Sequence, residues 1–106
     1  MTLADVKALP LHITATVNEA TTDESTHFYV VDCLLNRFFK GDYGEIDQED
    51  TDANNAELTD GEGKILARYK AKHKLEGDIY ICARFSKSMP ESLDANHILI
   101  MYCNEW

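Results

Sequence analysis

No lysine, arginine or histidine occurs between Lys40 and Lys64, and this absence is the strongest single signal in the sequence. The gap holds nine carboxylates: Asp42, Glu45, Asp47, Glu49, Asp50, Asp52, Glu57, Asp60 and Glu62. Their charge of −9 equals the net charge of the whole 106-residue chain, so everything outside the segment is neutral. Glycine and proline are scarce as well, at five and two residues. That leaves no glycine-rich loop to cradle a phosphate and no Pro- or Ser-rich linker to divide the chain. A single domain, residues 1–106, is expected.

Other absences narrow the chemistry. Three cysteines (Cys33, Cys82, Cys103) and four histidines (His12, His27, His73, His97) show neither a C-x-x-C nor an H-x-x-x-H spacing, which excludes the common zinc patterns. An odd number of thiols set in apolar runs is expected of reduced, buried cysteines in a cytoplasm. Asp50-x-Asp52-x-Asn54 begins like a calcium loop, but Asn55 stands where that loop needs glycine and Gly61 where it needs glutamate. No cysteine has the glycine-rich elbow or neighbouring base that would activate a nucleophile. Carboxylates are abundant, yet the acidic stretch has almost nothing apolar to bury one and raise its pKa. No catalytic residue, metal or cofactor is therefore assigned, and the reading is non-enzymatic.

No apolar run reaches the roughly 18 residues of a membrane span. Met1–Lys7 lacks the basic-then-apolar layout of a signal peptide. A sequence pI near 4.7 repels nucleic acid and anionic lipid at long range and favours basic partners.

What is present supports an α+β fold. Leu, Ile, Val and Phe total 25, enough for a core. Residues 1–10 read as an extended, loosely ordered lead-in. Leu11, Ile13, Ala15 and Val17 alternate, predicting a strand over 11–17. Thr21-Thr22-Asp23-Glu24 matches a capping box, and Phe28, Val31, Leu35, Phe38 and Phe39 then recur at helical spacing up to Gly41. That predicts a principal helix over 22–40. A turn through Gly41-Asp42-Tyr43-Gly44 leads to a second, short helix capped by Asp47 and closed by Asp60-Gly61-Glu62-Gly63. Three strands follow, at 64–72, 79–85 and 97–103, the last apolar on both faces, as expected of a strand near the sheet centre or under a helix. The order β-α-α-β-β-β predicts a small antiparallel sheet with two helices packed on one face. Arg68, Lys70, Lys72 and Lys74 should then form a basic row along one face of the first of these strands.

The run Leu35-Asn36-Arg37-Phe38-Phe39-Lys40-Gly41-Asp42-Tyr43-Gly44-Glu45-Ile46-Asp47-Gln48-Glu49-Asp50, then Ala53-Asn54 and Gly63–Tyr69, resembles a family of small bacterial plasmid-related proteins. The resemblance covers roughly residues 28–85. Tyr43 stands where that pattern often has tryptophan, and the residues after Phe85 depart from it. It implies a setting on plasmids, prophages and other mobile elements in a bacterial cell, and it carries over no catalytic residue.

Two binding functions fit. In the first, the chain inhibits a bacterial defence nuclease of anti-CRISPR or antirestriction type, its acidic surface occupying a basic nucleic-acid-binding groove. Asp42, Tyr43, Glu45, Asp47, Glu49, Asp50, Asp52 and Glu57 would form the contact surface, with no direct nucleic-acid or membrane binding. A helix from Asp47 to Leu58 is about 16 Å long, over which duplex DNA carries about nine charges. The helix offers five, so literal DNA mimicry is too sparse, whereas competition for a few Lys or Arg is within reach. In the second, a mobile-element accessory protein self-associates through a sheet edge, its acidic segment complementing the basic row in a homodimer.

Overall fold

The computed structural model describes residues 1–106 and is α+β: four helices and one four-stranded mixed sheet. In chain order these are α1 (Leu3–Lys7), β1 (Leu11–Ile13), α2 (Ala15–Ala20), a composite helix α3, α4 (Gln48–Asp60), β2 (Gly63–Tyr69), β3 (Ile79–Phe85) and β4 (His97–Tyr102). Helix α3 runs without a break through an α-helical turn Glu24–His27, a π-helical segment Phe28–Leu34 and a closing α-helical stretch Leu35–Phe39. A single 3₁₀ turn, Cys103–Glu105, follows β4.

The sheet order is β1-β4-β3-β2. Strands β2, β3 and β4 form the expected antiparallel set, with Ile65 opposite Ala83 and Ile81 opposite Ile100. Strand β1 runs parallel to β4, Leu11 beside Ile98, so the sheet is mixed rather than antiparallel throughout. β4 is central, as its two-sided apolarity requires. Alternation sends Ile65, Ala67, Tyr69, Ile79, Ile81, Ala83, Phe85, Ile98, Ile100 and Tyr102 into one core with Val6, Val17, Val30, Leu34 and Phe38 from α1–α3. The opposite face carries Lys64, Arg68, Tyr80, Arg84 and Leu99. Over it Trp106 stands edge-on to Tyr80 at 5.7 Å, with Lys64 Nζ 4.5 Å from its ring centre.

Four expectations are corrected. The lead-in is ordered: Thr2 and Asp5 form a reciprocal cap for α1, and Val6 is fully buried, a burial worth about 1.5–3 kcal/mol. The strand over 11–17 stops at Ile13, because Thr14 starts α2; Ile13 and Val17 are four apart, a spacing that a helix uses as readily as a strand. The cap of α3 is Asp23, whose Oδ2 accepts from the Thr26 amide at 3.0 Å, while the Thr21 hydroxyl turns back to Asn18 O at 2.8 Å. Finally, β2 ends at Tyr69, so Arg68, Lys70, Lys72 and Lys74 are not a strand row.

The dispersal of that row has a visible cause. Asp78, at the start of β3, accepts from the Ala71 amide at 3.0 Å and from the Arg68 guanidinium at 3.0 Å, pulling the chain out of the sheet after Tyr69. Its carboxyl is held below the usual range, first by the Ala71 amide and then by Arg68. Arg68 is thereby spent, and only Lys70 approaches the acidic segment, 4.0 Å from Glu45.

Candidate functional site

The acidic segment comprises a strap and a helix. The strap starts where α3 ends. Gly41 adopts φ 81°, and the Gly41 and Asp42 amides donate to Phe38 O and Arg37 O, a left-handed glycine closure of the helix. Arg37 Nε meets Asp42 Oδ2 at 2.7 Å across this turn, and that hydrogen bond chiefly lowers the Asp42 pKa. Asp42 O accepts from the buried Tyr69 hydroxyl at 2.7 Å. Desolvation of that hydroxyl pushes its pKa well above the usual phenol value.

The chain then lies against the outer edge of β2. Arg68 N donates to Tyr43 O at 3.1 Å and Glu45 N donates to Arg68 O at 2.6 Å, with Gly44 bridged to Arg68 between them. Further along the same edge, the Asn54 side chain supplies both halves of a strand's hydrogen bonding. Its Oδ1 accepts from Leu66 N at 3.0 Å and its Nδ2 donates to Leu66 O at 2.9 Å. The Tyr29 hydroxyl donates to Lys70 O at 2.7 Å. The outward backbone groups of Leu66 and Arg68 are thus all used. The basic edge on which self-association through β2 would depend is already occupied from within the chain.

Helix α4 is positioned by the same contacts. Asp47 caps it, accepting from the Asp50 amide at 2.8 Å, and Gly61 closes it at φ 70°. Asn54 is its one buried residue; of the thin apolar stripe that Ala53, Ala56 and Leu58 would give it, the two alanines are exposed and only Leu58 packs, half-buried, against the core. A 13-residue helix whose only apolar core contact is the half-buried Leu58 is marginal alone. The Asn54 side chain therefore does for α4 what a hydrophobic stripe does for an ordinary amphipathic helix.

The eight residues read as a contact surface separate into three groups. Glu49, Asp50 and Asp52 are exposed on α4, with Glu45 exposed on the strap beside them. Asp42, Asp47 and Glu57 have structural work, respectively pairing Arg37, capping α4 and filling the space left by Gly63. A Cβ on Gly63, itself at φ 123°, would collide with the Glu57 carboxylate. Tyr43 is not on the surface at all. It is 4 % exposed, edge-on to Phe38 at 6.0 Å, and its hydroxyl is buried without a hydrogen-bond partner. Its place as a contact residue is withdrawn, because burying its ring secures the strap to the core. Replacing it by phenylalanine removes the orphan hydroxyl and keeps the ring. Tyr43→Phe is expected to raise stability by about 1 kcal/mol, read as a higher denaturant midpoint at constant slope. A lower midpoint would mean the hydroxyl has a partner.

The decisive electrostatic fact is which acids are neutralised. Among nine carboxylates only Asp42 and Glu45 reach a cation within 4.0 Å, leaving seven without an ion pair. Glu62 is satisfied differently, by the Ser86 and Ser88 hydroxyls at 2.9 and 2.8 Å, which lower its pKa. The sequence reading missed this clasp, as it did Asn54; neither serine nor asparagine has a spacing that announces such a partner. The half-buried Cys33 and Cys103 and the buried Cys82 are free thiols. No helix is long and apolar enough to cross a membrane.

Comparison with known proteins found no matching family model, curated protein or solved structure. The likeness of residues 28–85 to plasmid-related proteins therefore rests on its motif alone.

Proposed function

We propose that the chain is a small, acidic, non-enzymatic binding protein of a bacterial mobile element. It acts in the host cytoplasm by occupying the basic nucleic-acid-binding groove of a defence nuclease, as anti-CRISPR and antirestriction proteins do. The observation that carries this reading is that Glu49, Asp50 and Asp52 stand exposed and without ion pairs on a helix fixed to the sheet edge. A helix already folded and anchored in place is pre-organised for a partner, since no further backbone ordering is needed on binding. Glu45, Glu49, Asp50 and Asp52 form the contact surface, and Asp47 and Glu57 support it from within.

Helix α4 is about 20 Å long, a length over which duplex DNA carries about twelve charges. Its five carboxylates again fall short, so recognition is of a few basic side chains rather than of a full groove. The protein surface supplies shape as well as charge.

The test is reversal of Glu49, Asp50 and Asp52 to Lys together. All three are exposed, so the fold should be retained. Association with the target effector is expected to slow by roughly 10- to 1,000-fold, and that of the parent chain to fall with added salt. The measurement is association kinetics and inhibition against CRISPR and restriction effectors captured from a bacterial lysate. Undiminished inhibition by the triple variant, or a rate indifferent to salt, would sink the proposal.

A further inference from the structure

Two departures from regular backbone meet at one cleft on the side of α3. The first is the π-helical segment Phe28–Leu34. Such segments are rare, and they occur frequently at functional sites. Here the widened turn places the buried Tyr29 and Leu34 five residues apart and turns Phe28 outward, where it is 60 % exposed. Regular α-helical phase, carried back from Phe38 through Leu35 and Val31, would have buried Phe28. Core packing therefore gains nothing from its outward position.

The second departure is His73, the one non-glycine residue with positive φ, at 57°. That conformation costs roughly 1–2 kcal/mol for a residue with a Cβ. It is held by its neighbours: Lys74 N donates to Thr26 Oγ1 at 3.0 Å, Leu75 N to Lys72 O at 3.2 Å, and the Leu75 side chain is buried. The result is a basic turn laid against the π-helical segment, with the His73 ring edge-on to Tyr29 at 5.8 Å and Lys72 Nζ 5.3 Å from the Tyr29 ring centre.

Between these elements lies a cleft of about 540 Å³, lined by Glu24, Ser25, Phe28, Tyr29 and Cys33 from α3 and by Lys72 and His73 from the turn, so that one carboxylate shares it with the Lys72 ammonium. That volume is within the range of small-molecule sites, whose usual make-up is apolar walls with a few convergent polar groups. Lys72 makes no ion pair. In a protein of net charge −9, an unpaired ammonium beside three aromatic rings selects both sign and shape. The rings favour a flat apolar body by stacking, and the ammonium favours a negative group at its end.

We propose that this cleft is a binding site for a small planar anion, an aromatic ring bearing a carboxylate or a phosphate. The ring lies against the exposed Phe28, and the anionic group meets Lys72 with His73 as a second donor. The site is separate from the acidic surface and stands whether or not that surface binds a nuclease.

Amide NMR titration of the full chain tests this with four probes: benzoate and its neutral counterpart benzamide, and adenosine monophosphate and its neutral counterpart adenosine. One anion or both should shift the amides of residues 24–33 and 70–74 saturably. The matching neutral probe should bind at least about tenfold more weakly, as loss of a charge-assisted hydrogen bond requires. Whichever anion saturates at the lower concentration assigns the source, free aromatic acid or nucleotide. Lys72→Ala should cost the anion about tenfold and leave the neutral probe unchanged, whereas Phe28→Ala should weaken both. Both side chains are exposed, so the variants keep the fold. No saturable shift below about 10 mM, a weaker interaction than any pre-formed cleft warrants, overturns the proposal. So do shifts confined to other segments, equal binding of the anionic and neutral probes, or an unaltered Lys72→Ala variant.

Discussion

Gly44→Ala should lower stability by about 2–5 kcal/mol. Two costs combine. Gly44 sits at φ 72°, a conformation that costs a residue with a side chain about 1–2 kcal/mol. In addition, a Cβ there would come within 2.1 Å of Arg68 O and 2.7 Å of the Tyr69 ring, a collision with backbone and with a fully buried side chain. Overpacking of that kind typically costs about 1–3 kcal/mol. The strap must retreat from β2, which gives up the hydrogen bonds from Arg68 N to Tyr43 O and from Glu45 N to Arg68 O. The melting temperature should fall by at least about 10 °C, measured beside Gly77→Ala as a control. A Cβ at Gly77 meets only Tyr102 Cδ1 at 3.9 Å and should change little. Equal midpoints for the two variants would show that the strap does not depend on close approach at Gly44. The freed β2 edge should also make the Gly44 variant aggregate on warming, since an unpaired strand edge is a template for another chain.

Asn54→Ala carries the second large effect, expected at roughly 2–4 kcal/mol. Asn54 is 5 % exposed, and its amide satisfies both Leu66 N and Leu66 O. Alanine leaves a donor and an acceptor without partners, and removes the only buried side chain of α4. Helical circular dichroism should therefore drop along with stability, because the half-buried Leu58 alone is too little apolar contact to keep the released helix folded. Asn54→Asp distinguishes the two halves of the contact. It keeps an acceptor for Leu66 N but presents a second oxygen to Leu66 O, so it should recover little of the loss. Asn55→Ala, one residue along and exposed, should stay within about 0.5 kcal/mol of the parent. An Asn54→Ala protein as stable and as helical as the Asn55→Ala control would refute the anchoring role.

What could be read from the sequence was local. The end of α3 at Gly41, the Asp47 cap, the closing Gly61 and the alternation of β3 all depend on residues within a turn of one another, and each lies where it was expected. What failed depended on distant partners. Helix α1 has one buried side chain, and its order comes from packing against α3 rather than from propensity. The parallel β1–β4 pairing joins residues 11–13 to 98–100, a contact no window of sequence contains. The π-helical segment leaves the spacing of Val31, Leu35 and Phe38 looking perfectly α-helical, so Phe28 was assigned to the core and is outside it. In the acidic segment the sign and extent of the charge were legible, and Glu45, Glu49, Asp50 and Asp52 are exposed. Tyr43 had a usable signal that pointed the other way: an aromatic between two glycines is better suited to tucking into a core than to facing solvent beside acids. Asn54 had none, since asparagine is mostly exposed and only the backbone opposite reveals its task.

Anchoring α4 through one amide rather than an apolar stripe has an evolutionary consequence. In an ordinary amphipathic helix, about half the positions are constrained by the core, and mutation there is purged for stability. Here Gln48, Glu49, Asp52, Asn55, Ala56 and Thr59 are all exposed, and the only hydrogen bonds their side chains make, Gln48 to Asp52 and Thr59 to Asn55 O, stay within the helix. So long as Asn54, Gly44 and the Asp47 cap are kept, those positions are free to vary, and a change in the charge of this surface need not pass through selection on folding.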